Sequence, residues 1–256
     1  MKVQIPFIVY SAMVVFFLTA LVLGLLKQVR WGKFVGFLGS AACGAGVTWL
    51  MFSEQRLPLF GALESVMYVS FVLTLLANFT LPRVEAVCKQ RLTLVTHGVI
   101  CLLLAVQATR PMAFNADFFM YDNLWVNLFF NLRLNAAGVL IWAAILFIVG
   151  VWFCEAKDAK KTSGRATSDR LIHQGRNFLL AGIVVYLMSE WSGSLWCLNW
   201  LGETWQWSRG FLKAAIIFLL AMIASHLPIS MGGLPRAKAL FGICPGIYIF
   251  FMLFQH

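Results

Sequence analysis

The chain has 256 residues, 61% of them hydrophobic and 12% charged, with a formal net charge of +10 and a mean hydropathy of +0.83. A soluble domain carries about twice that share of charged residues, and a span needs only about 20 apolar residues, so apolar stretches fill most of the chain and leave no room for a sizeable soluble domain. The basic excess sits in short loops between apolar runs, the pattern that sets membrane topology, and this excludes nucleic acid as its reason. The expected fold class is therefore all-α: one polytopic membrane helix bundle of about eight transmembrane helices over residues 1–256.

The first apolar run, Ile5–Leu26, is too long for a cleaved signal core and has no small-residue cleavage site, so it reads as a retained helix. Phe34–Phe52, Phe60–Phe79 and Leu92–Thr109 follow, with Glu64 near the outer end of the third and His97 a few residues into the fourth. Leu124–Cys154 is longer than one span, and its first part, to Arg133, is expected to lie along the membrane surface. The polar stretch 155–170 reads as a flexible cytoplasmic linker. Phe178–Trp196, Phe211–Leu227 and Ala239–Phe254 complete the set, with an extracytoplasmic Trp-rich loop at 197–210.

The loops alternate in charge. Lys27, Arg30 and Lys33 follow the first run; Arg83, Lys89 and Arg91 follow the third; Lys157, Lys160, Lys161, Arg165 and Arg170 lie in the linker; Arg236 and Lys238 follow the seventh. The opposite loops hold only Arg56, Arg110 and Arg209. The basic loops belong in the cytoplasm, which puts both termini outside it. The cysteines, Cys43, Cys88, Cys101, Cys154, Cys197 and Cys244, form no CxxC, so neither a disulfide framework nor a zinc site is expected; the absence of CxxCH excludes a c-type cytochrome.

Trp191, Trp196, Trp200, Trp205 and Trp207 crowd into WSGSLWCLNWLGETWQW. An interfacial aromatic belt accounts for one or two indoles at a helix end. The crowding, with Gly193 and Gly202 between, points to an aromatic platform for a large planar ligand: indole faces stack, and glycine lets the backbone approach.

This stretch resembles the tryptophan-rich "WWD" signature of the cytochrome c assembly family, CcsA/ResC type, a pattern close to W-A-x-x-x-W-G-x-Y-W-x-W-D followed by a helix ending in His. Trp196, Gly202, Trp205 and Trp207 fall on the pattern, and the next helix ends at His226. Asp169 to Ile183, DRLIHQGRNFLLAGI, is similar to the family's lead-in, and LPLFGALESVMYVS is similar to its F-P-L-x-N-x-Y-E-S segment at Pro58, Glu64 and Ser65. The chain departs from the family at Ser208 and Phe211, where acidic residues are usual, at Leu201 in place of Trp, and at Phe129, where W-x-x-x-H-V carries an external haem-ligand His; Trp125 keeps that motif's Trp. A second external His would be His256. The resemblance implies haem b in transit as cofactor, a ResB-type membrane partner, apocytochrome c as acceptor, and the plasma membrane of a bacterium as location. If active, the chain would be a cytochrome c haem lyase component; the alternatives are a diverged, non-catalytic haem-relay or structural subunit, and a small-molecule transporter.

His97 and His226 are both expected shallow on the cytoplasmic side, where two imidazoles at one depth could hold haem iron. The plainer readings are a helix-to-helix hydrogen bond for His97 and a cation at a helix C-terminus for His226; His173 reads as solvated. Glu64, Glu190 and Arg133 are intramembrane ionisable groups and so functional candidates. Arg133 either snorkels to the headgroups or meets haem propionates.

Overall fold

The computed structural model describes residues 4–53, 55, 57, 61–79, 86–110, 123–154, 162–204, 209–227 and 235–254. Among them are eight α-helices and no strand: α1 (Gln4–Leu25), α2 (Val29–Ser53), α3 (Ala62–Phe79), α4 (Ala86–Gln107), α5 (Leu124–Ile148), α6 (Thr162–Leu201), α7 (Arg209–His226) and α8 (Pro235–Met252). A π-helical segment, Val149–Cys154, continues α5. Six helices are long and apolar enough to cross a bilayer; Gly210–His226 and Ala239–Met252 are shorter apolar helices. Phe7, Val15, Leu18, Trp31, Phe34 and Phe37 of α1 and α2 are each more than half exposed. An apolar outer surface of that extent is a liability in water and the lipid-facing side of a bundle in a bilayer. The chain is a polytopic membrane helix bundle, as its hydropathy pattern predicts.

α5 is the axis. Its residues Ala136 to Phe147 are buried almost without interruption, and it packs on α6, α8 and α3. Small residues allow the close approach that takes the place of hydrophobic drive inside a membrane. A Cβ at Gly182 of α6 would stand 2.6 Å from Leu140 Cδ2, and one at Gly246 of α8 would stand 2.7 Å from the Leu140 carbonyl oxygen. α7 packs on α8 and α6; α1–α4 form a second group, in which α1 packs on α2 and α4 and α3 joins the group to α5.

Three boundaries differ from the sequence expectation. α5 runs unbroken past Arg133, so Leu124–Arg133 is not a separate surface segment; Asn123 caps it by accepting from the Trp125 and Val126 amides, and Val126, Phe130 and Leu134 are buried against the bundle. α6 starts at Thr162, inside the expected linker 155–170, because Leu171 is buried and the Ser168 hydroxyl donates to the Gly150 carbonyl at 2.8 Å; residues 155–161 lie outside the described residues. At its other end α6 continues to Leu201, so the first part of the expected loop 197–210 is helix. Cys88 is disulfide-bonded, which the cysteine spacing did not indicate.

α5 and its π extension form an antiparallel hairpin with α6, from Gly150 beside Ser168 to Trp125 beside Trp191. The span Leu124–Phe153 has 30 residues, which at 1.5 Å each is ~45 Å, against a hydrocarbon core of ~30 Å. The hairpin therefore overreaches the core or tilts within it.

Candidate functional site

The hairpin opens where α5 begins and α6 ends. With α5 capped at Asn123, helical spacing puts Trp125, Phe129 and Arg133 on one face. The same spacing puts Glu190, Gly193, Ser194, Cys197, Leu201 and, one residue round, Trp196 and Trp200 along the facing side of α6. Gly193 makes the fit possible, since a Cβ there would lie 2.7 Å from the Phe129 ring. The Ser189 hydroxyl donates to the Phe129 carbonyl at 2.8 Å and ties the helices at this level.

The result is a cleft of about 310 Å³ bounded by Phe129, Arg133, Glu190, Gly193, Ser194, Trp196, Cys197, Trp200, Leu201, Gly210 and Phe211. That volume is at the lower end of ligand pockets. Arg133 Nη2 donates to Glu190 Oε1 as an ion pair, with the two side chains 20% and 24% exposed. The guanidinium lies over the Phe129 ring, 4.1 Å from its centroid, with the Tyr186 ring at 5.8 Å. Trp196 tilts against Phe129 with ring centroids 6.0 Å apart. Arg133 Nε and Trp196 Nε1 are buried and make no hydrogen bond. A smaller cavity of about 40 Å³ lies beyond Arg133, bounded by Ser65, Phe130, Tyr186, Ile217 and Met252 among others. The arrangement is an aromatic slot with a cation at its inner wall and spare donors around it.

The predicted residues divide clearly. Trp196, Trp200 and Arg133 meet in this cleft, and Phe129 and Phe211, read as departures from the family pattern, line it too. Trp196 and Trp200 sit on a helix, not on a flat loop, and Trp191 turns instead to Trp125, ring centroids 6.1 Å apart. Gly202 has φ +73 and nothing within 4 Å of where a Cβ would stand. Its amide bonds the Leu198 carbonyl at 3.1 Å, so it stops α6. Trp205, Trp207, Ser208 and His256 lie outside the described residues. Glu64 is fully buried in the first turn of α3, beside Ser65 of the smaller cavity.

The structure does not bring His97 and His226 together. α4 begins at Ala86, six residues before the expected Leu92, so His97 lies halfway along the helix, ~16 Å from its start. It packs on α1 and α2: its ring is 6.0 Å from Phe17, and a Cβ at Gly36 would stand 2.5 Å from its Nε2. His226 is the last residue of α7, exposed, with Nδ1 2.9 Å from the Met222 carbonyl. With the proton on Nδ1 for that bond, Nε2 carries the free lone pair. No group of three His, Cys, Asp or Glu able to hold a metal ion occurs among the described residues.

Sequence reasoning paid little regard to Tyr186, Asn131 and Asn135. Asn135 Nδ2 donates to Asn131 Oδ1 at 2.9 Å and to Tyr68 Oη at 3.0 Å, so α5 carries a polar seam to α3 at the level of the cleft. The i, i+4 repeat of Asn127, Asn131 and Asn135 in an otherwise apolar run was the available signal. No family model, curated protein or solved structure matches this chain.

Proposed function

We propose that this chain is a haem-handling membrane protein of cytochrome c assembly, and that the cleft between α5, α6 and α7 is where haem is presented. The observation that carries the reading is convergence. Trp196 and Trp200, from the Trp-rich segment, meet Phe129, from the segment where the related pattern has an external histidine, although about 70 residues of sequence intervene. That contact is what the resemblance requires of a presentation site. The donor set fits the group in part: aromatic walls suit a porphyrin face, and the Arg133 guanidinium suits a propionate. His226 stands at the opposite end of α7 from the cleft, ~24 Å along the helix, and serves entry on the cytoplasmic face. When bound, haem supplies the vinyl groups to which the thiols of a CxxCH apocytochrome add. The protein contributes position, an apolar slot and charge balance. On this reading the chain lies in the plasma membrane of a bacterium with both termini outside, and works with a ResB-type partner.

One observation favours the alternative of a diverged relay subunit without synthase activity: the described residues lining the cleft include no histidine, and Phe129 fills the expected position. The test of the main reading is haemin titration of the purified full-length chain, followed by its absorption. A saturable Soret change is expected, weakened in the Trp196→Ala/Trp200→Ala double variant. No saturable change, or a double variant equal to the wild type, overturns the reading. Complementation of a strain lacking its own haem ligation system separates synthase from relay.

A further inference from the structure

Arg133 and Glu190 both line the cleft, and each keeps about a fifth to a quarter of its side chain exposed. A guanidinium has five donors. Here Nη2 meets Glu190, and Nε is buried without a partner. Phe129 stacks on the guanidinium face and holds its fork in one plane. Trp196 Nε1 is a second buried donor without a partner at the same cleft. A lone cation inside a spanning hairpin would be costly, and Glu190 supplies its counter-charge. The unused donors are placed for a second, external carboxylate. Apart from Ser194, the remaining lining is largely apolar or aromatic (Trp196, Trp200, Leu201, Phe211), with Cys197 as the one soft metal donor among the described residues that line it.

We infer that the cleft holds a planar aromatic carboxylate by its acid group and ring face, not by a metal, and that Glu190 occupies the Arg133 fork until the ligand carboxylate displaces it. This rests on the proposed reading in taking a porphyrin dicarboxylate as the ligand class. It goes beyond that reading in making the iron dispensable for binding and Glu190 a built-in competitor. Removing the competitor frees the full fork for a bidentate contact, so loss of the Glu190 charge tightens binding. Removing the fork loses a charge-assisted hydrogen bond, which corresponds to roughly tenfold or more in affinity.

The test uses the full-length chain in detergent at fixed micelle concentration, with tryptophan quenching as the readout. The probes are metal-free protoporphyrin IX, its dimethyl ester and haemin. Protoporphyrin IX and haemin are expected to bind within a few-fold of each other, and the ester roughly tenfold more weakly. Glu190→Gln should tighten the free acid several-fold and leave the ester unchanged. Arg133→Gln should bring the free acid down to the level of the ester; retained ester binding then shows that the variant is folded. Cys197→Ser should change nothing. Equal affinity of acid and ester overturns the carboxylate site. Haemin bound far more tightly than the metal-free ring, with the difference abolished in Cys197→Ser, overturns metal indifference while leaving haem handling intact. If none of the three probes binds, the haem reading itself falls.

Discussion

The group α1–α4 and the group α5–α8 share an apolar composition but place their polar atoms differently. In the first, the Thr74 hydroxyl donates to Ser40 at 2.8 Å, Tyr10 to the Leu104 carbonyl at 2.8 Å, and Thr96 to its own helix at 2.8 Å. Even His97 is a packed ring against Gly36 and Phe17. In the second, an ion pair and two buried donors without partners stand beside a cavity. Buried polar atoms are normally satisfied, and leaving one unmade costs about 1–3 kcal/mol. Apart from Ser70 Oγ, which is also buried without a hydrogen bond, the polar residues named in α1–α4 serve helix packing, whereas Arg133 and Trp196 at the open end of the α5–α6 hairpin carry their unpaired donors at the wall of a cleft.

The largest effect should come from breaking the pair. Arg133→Met leaves Glu190 uncompensated in a spanning hairpin, and is expected to lower unfolding free energy by about 2–4 kcal/mol, since loss of one partner of a buried pair is strongly destabilising. Arg133→Met/Glu190→Met should regain most of that while binding the porphyrin acid no more tightly than its ester. Denaturant titration of both variants checks this. A double variant as unstable as the single would make the pair a packing element and erase the contrast between the groups.

Two glycine substitutions sharpen it. Gly36→Val drives a side chain into His97, and Gly193→Val drives one into Phe129, where a Cβ already stands 2.5 Å and 2.7 Å from the respective rings. Each should cost about 1–3 kcal/mol by overpacking. Only Gly193→Val should also impair haemin binding, because the displaced ring enters the cleft. Equal binding loss in both would mean that the first group takes part in the site.

Smaller again are the single truncations Trp196→Ala and Trp200→Ala, each expected to weaken porphyrin affinity by about 1 kcal/mol, the worth of one aromatic contact. His226→Ala should slow loading from the end of α7 away from the cleft and leave equilibrium affinity at the cleft unchanged, which stopped-flow and titration separate. Reduced affinity in that variant would move the site to the other end of α7.

Hydropathy made the helices legible, because a run of about 20 apolar residues is what a bilayer crossing needs and six of the helices meet that length. It did not locate their ends, because tertiary contacts set those. The polar stretch Thr162 to Arg176 is helical since Leu171 is buried and Ser168 bonds Gly150. The six-residue shift in the start of α4 moved His97 from near the start of the helix to its middle. The cleft was half legible. Trp196 and Trp200 stood out by crowding, and Arg133 and Glu190 by charge in an apolar run. Their meeting was not legible, because it depends on the antiparallel register of α5 against α6, set by Gly182 on Leu140 and Gly193 on Phe129.

The central claim, that the ligand lies between Phe129 and Trp196, is tested most directly by absorption spectra of the haemin-loaded wild type beside Phe129→His and His97→Leu. The account predicts that the imidazole at 129 produces a new imidazole-ligated spectrum, five-coordinate or with water as the sixth ligand, and that His97→Leu leaves the wild-type spectrum unchanged. A spectrum indifferent to Phe129→His but abolished by His97→Leu would place the ligand in the α1–α4 group and contradict it.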